Sequence, residues 1–77
     1  MYTDAMRKAF HSITPPKDFV INVIDNESFL TIRLNEEDFI YMMHDEKIEA
    51  VQYVTRVKDA LEQNGAIVLV TREAISK

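Results

Sequence analysis

Apolar residues recur along the first stretch of the chain as Tyr2, Ala5, Met6, Ala9, Phe10 and Ile13. That spacing of three and four residues places them on one face of a helix. Thr3 is suited to cap its start, Asp4 sits in the first turn, and Arg7, Lys8 and His11 lie toward its end. The charge order matches the helix dipole. Pro15 and Pro16 stop the helix, since proline lacks the amide donor and pushes its predecessor out of the α region.

The pattern then changes period. Phe19 to Asp25 and Ser28 to Leu34 are rich in β-branched and aromatic residues, and Asp25-Asn26-Glu27-Ser28 between them is turn chemistry. An antiparallel hairpin is expected. Its second strand alternates, with Leu30, Ile32 and Leu34 on one face and Phe29, Thr31 and Arg33 on the other. The first strand is apolar on both faces apart from Asn22.

Helical spacing returns at Asn35, which has the short polar side chain of an N-cap. Glu36, Glu37 and Asp38 fill the first turn, and Leu34 with Phe39 occupies the two positions of a hydrophobic staple. The helix is expected to run to about Met43, with a joint at His44-Asp45. Asp45 is placed to cap a longer helix reaching about Asn64, and the pattern leaves open whether the two are one bent helix. Gly65 follows where helices commonly end in a left-handed residue.

Ala66 to Val70 is an uninterrupted apolar run of strand type, which predicts a third strand covered on both faces. Thr71 to Lys77 reads as a polar tail that frays, residues 73–77 above all. The fold class is α+β: a small three-stranded sheet, made of the hairpin and a third strand after a helical crossover, packed with helices in the order α-β-β-α-α-β. If the second and third strands are parallel, the crossover between them is expected to be right-handed. Residues 1–77 form one domain, with a helix over 1–13 and a sheet-and-helix body over 17–72, since so short a chain does not build two cores.

Apolar surface is in surplus. On the long helix Ala50, Val54, Val57 and Leu61 centre an arc that Tyr53, Ala60 and Val51 widen to roughly 180°, against the ~100° that one contact surface needs. Ile48 falls outside it. Two accounts fit: the N-terminal helix covers the excess, or a second copy or another protein does. In the second account Ile48, Val51 and Tyr53 are the self-association residues, and a homodimer is expected.

Charge adds a polarity to this picture. The net charge is −4, yet six carboxylates, Glu36, Glu37, Asp38, Asp45, Glu46 and Glu49, face only Lys47 within one window, which alone carries −5. Acidic residues at two helix starts are what the dipole favours, and the same cluster suits a basic partner. Overall acidity weighs against nucleic acid as the main partner. Phe29 and Arg33 on one strand face, with Arg7, Lys8 and Lys17 elsewhere, keep it as the alternative.

Composition removes several chemistries. There is no cysteine, so no disulfide and no thiolate site, and a small domain without staples is expected in the cytoplasm. No segment has the length of apolar residues that a membrane span requires. One glycine cannot build a phosphate cradle, and Ser12, Ser28 and Ser76 have no glycine neighbours of the nucleophile-elbow kind. His11 and His44 lack metal-ligand spacing and read as solvated residues near helix ends. No catalytic residue, cofactor or metal is therefore expected. The sequence points to a non-enzymatic interaction or regulatory module that self-associates, with a nucleic-acid-binding regulator and then an intersubunit enzyme as the other classes.

Overall fold

The computed structural model describes residues 1–44 and 48–72. Its elements are α1 (Asp4–His11), β1 (Ile21–Asp25), β2 (Leu30–Leu34), α2 (Glu36–His44), α3 (Ile48–Gln63) and β3 (Val68–Arg72). The expected order α-β-β-α-α-β is the one observed, and the fold is a small α+β domain.

Local chemistry sets the helix ends. The Thr3 hydroxyl accepts from the Met6 amide at 3.1 Å, and Asn35 Oδ1 accepts from the Asp38 amide at 2.7 Å. Each satisfies one of the amides that a helix start leaves without a partner. α3 ends in a Schellman motif: the Ala66 amide donates to the Leu61 carbonyl and the Gly65 amide to the Glu62 carbonyl. Gly65 takes a φ of 97°, a conformation that an L side chain rarely adopts. Asp45 as a cap lies outside the described residues.

The strand order is β1-β2-β3, with β1 antiparallel and β3 parallel to the central β2. β3 lies two residues later than the apolar run suggests, because the parallel register pairs Thr71 with Arg33 and Arg72 with Leu34. Those two residues are strand, not tail.

Register then divides the sheet into two faces. Ile21, Val23, Leu30, Ile32, Leu34 and Val68 look toward the helices, and Met6 of α1 with Ala50, Tyr53, Val54, Val57 and Leu61 of α3 closes the core over them. α1 lies against α3, so part of the surplus on the long helix is covered from within the chain. The molecule measures 31 × 29 × 16 Å. Sixteen ångströms accommodate one sheet and one layer of helices, so among the described residues no element covers the second face of the sheet.

Among the described residues, no helix is long and apolar enough to cross a membrane.

Candidate interaction surface

The uncovered face is built by the residues that alternate with the core. Ile24, Thr31 and Leu69 form one row across the three strands, and Asn22, Arg33 and Thr71 form the next. Phe29, just before β2, adds an aromatic ring at one end. The Asn26 amide group donates to Thr31 Oγ1 at 2.7 Å and to the Ile24 carbonyl at 3.3 Å, which ties the hairpin turn to this face. All of these side chains but Asn22 line a shallow depression of about 440 Å³. Among the described residues Arg33 is the one charged group in its lining. In a molecule of net charge −4, this face is apolar and slightly cationic.

β3 departs most from expectation. A strand apolar on both faces was expected to be covered on both, but Leu69 is 51% exposed and Ile67 66% exposed. Val70 looks toward the helices, opposite Ile32, and is still 39% exposed because β3 is the last strand of the sheet. The surplus of apolar surface therefore lies on the sheet more than on the long helix.

The residues assigned to self-association separate accordingly. Tyr53 is 6% exposed and packs edge-to-face on Phe19 at 6.0 Å between ring centres, so most of its side chain belongs to the core. Burial also raises the pKa of its phenol. Val51 is exposed on the helical side. The side chain of Ile48, like Asp45 and Glu46, lies outside the described residues.

The carboxylates at the start of α2 diverge. Glu36 accepts from Arg72 Nη1 at 3.0 and 3.2 Å, at the β3 side, while Arg72 also lies over the Phe39 ring. Asp38 turns the other way, where Oδ2 is 3.5 Å from the Val20 amide at the β1 side. Glu37 and Glu49 are exposed. Among the described residues no three histidine or carboxylate side chains gather as metal ligands. His11 is exposed with its ring against Phe10.

Phe29, Thr31 and Arg33 do share the outward face, as β2 alternation requires. What sequence reasoning missed is that Ile24 and Leu69 join them. The signal was present, since β1 and β3 lack the polar alternation of a half-wet strand. Without the strand order, the same signal reads equally well as cover on both faces.

No model of a known protein family, no curated protein and no solved structure matches this chain. The geometry alone carries the functional reading.

Proposed function

We propose that the chain is a small non-catalytic protein-interaction module that works through the uncovered face of its sheet and associates with copies of itself. The one-sided placement of the helices carries this reading. It leaves Ile24, Phe29 and Leu69 around Thr31 in one depression that no described element covers, and apolar side chains grouped on an open face suit a contact site. Binding is favoured over catalysis because, among the described residues, the patch holds no carboxylate, histidine or lysine to move a proton. A protein partner is favoured over nucleic acid because one arginine is a poor match for a polyanion. The exposed acids Glu37 and Glu49 then serve the helical side, where they engage a basic segment of the partner or keep that side in water.

Comparative capture tests the reading. The whole chain and an Ile24→Ser/Leu69→Ser variant, shown by circular dichroism to be folded alike, are used as baits in nuclease-treated lysate of the source organism. A protein held stoichiometrically by the first bait and lost from the second supports the sheet face as the working surface. Identical recoveries from the two baits sink it. Retention that nuclease abolishes and Arg33→Ala weakens would move the chain to the nucleic-acid class.

A further inference from the structure

We infer that two copies of this chain join through β3, pairing antiparallel about a two-fold axis at Val70 to make one six-stranded sheet. The inference rests on the proposed reading of the chain as a self-associating module and names where the copies meet.

The argument starts from backbone direction. The Leu30 amide donates to the Ile67 carbonyl at 2.8 Å, and the parallel register continues that bonding through Leu69 and Thr71. In a strand, the amide and carbonyl of one residue point to the same side and alternate along the chain. Val68, Val70 and Arg72 therefore point their donors and acceptors away from β2, and no described residue pairs with them. An antiparallel copy centred on Val70 sets Val70 against Val70, Val68 against Arg72 and Arg72 against Val68. Each outward group then meets its complement, and the pattern closes on itself as a two-fold contact must.

Side chains agree with that register. Val70 sits on the helix-facing side yet is exposed, and its counterpart from the second copy lies directly beside it. On the other face Leu69 meets Thr71 of the second copy. No like charges are opposed: Arg72 faces a valine and is already paired with Glu36.

The two edges of the sheet also differ in protection. Exposed edges are usually blunted by charge, proline or a bulge. β1 is entered through Pro15, Pro16 and the left-handed Asp18, contains Asn22 and ends in Asp25. β3 likewise ends in a charge, Arg72, but that side chain is held by Glu36, and from Val68 to Thr71 the strand has no charge, proline or bulge. A five-residue edge is small against the ~1,200–2,000 Å² of a standard interface, so the dimer is of the weak, reversible class.

Sedimentation equilibrium of the whole chain, from roughly micromolar to millimolar concentration, is the first measurement. A concentration-dependent dimer is expected. Val70→Pro removes an amide that faces away from β2, so it spares the fold and is expected to lower the association constant at least tenfold. Val70→Lys, which would place two ammonium groups at the axis, is expected to do the same. Since the chain has no cysteine, register is read by mixing Leu69→Cys with Thr71→Cys chains. These positions form a non-hydrogen-bonded pair close enough for a disulfide, and the mixed disulfide is expected to exceed either self-disulfide.

A wild-type chain that is monomeric throughout overturns the inference and leaves the sheet-face reading to the capture experiment. A dimer that survives both Val70 variants but is lost in Ile24→Ser/Leu69→Ser overturns it differently: the copies then meet face to face, as the functional reading allows. Should both Val70 variants fail to fold, absence of the mixed disulfide overturns it.

Discussion

The same three strands send apolar side chains to two faces, and those side chains meet opposite fates. On one, Ile21, Leu30, Ile32, Leu34 and Val68 are buried beneath α1 and α3. On the other, Ile24, Phe29 and Leu69 stand among Asn22, Thr31, Arg33 and Thr71 with no described element above them. Only β2, the central strand, distinguishes the faces by composition. Its two neighbours are nearly as apolar outward as inward, so apolar content in a strand records what is able to be buried, and the helices decide what is.

The hardest test of this comparison exchanges neighbours on β2. Ile32→Ala, on the covered face, is expected to cost about 3–4 kcal/mol by urea denaturation, combining lost transfer energy with a cavity. Thr31→Ala, one residue away on the open face, is expected to cost only about 1 kcal/mol, for the hydrogen bond that its Oγ1 accepts from Asn26. Equal losses would mean that the open face is covered in solution.

A smaller effect tests what seats the helical layer. Asn35→Ala removes the acceptor for the Asp38 amide and is expected to cost about 1 kcal/mol, read from the same denaturation curves. Asn35→Ser should restore most of it.

Alkaline titration sharpens the assignment of Tyr53 to the covered side. Its pKa is raised by burial, so the folded state holds the phenolic proton more tightly than the unfolded chain does. Stability from this group is therefore complete below the unfolded tyrosine pKa of about 10 and falls as pH rises through the folded value. Tyr53→Phe should flatten the decline of Tm above that pH, and an unchanged decline would place the phenol in water.

Least of all should be felt when the open face is made polar. Ile24→Ser/Leu69→Ser is expected to shift monomer stability by under about 1 kcal/mol in dilute solution while raising solubility. A large loss would show that this patch stabilises the fold and is not held for a partner.

Much of the architecture was legible because it follows from local chemistry. Thr3, Asn35 and Gly65 mark helix ends by hydrogen bonds and dihedral angles that involve only near neighbours. The alternation of β2 and the stripe Ala50, Val54, Val57 and Leu61 are likewise written as periods. The burial of Tyr53 is less legible, because it flanks that stripe and only the approach of Phe19 turns the flank into core. The exposure of β3 was hidden for a related reason. Strand order is a long-range outcome, and nothing within residues 66–72 says that the strand will lie at an edge. The acidic window looked like one surface because its members are close in sequence, whereas Glu36 and Asp38 lean toward opposite ends of the strand order.

The parallel junction between β2 and β3 also has a kinetic consequence. The hairpin closes across a four-residue turn, but β3 reaches Leu30 only after the thirty-odd residues of α2 and α3 have been arranged. Such non-local closure is slow compared with hairpin and helix formation. β3 is thus expected to be the last strand to arrive and the first to leave. While it is undocked, the chain carries an unpaired segment of high β-propensity from Ala66 to Val70. During that interval the segment is the site most exposed to capture by another unfolded chain. How concentrated the protein is as it folds then sets how much of it completes its own sheet.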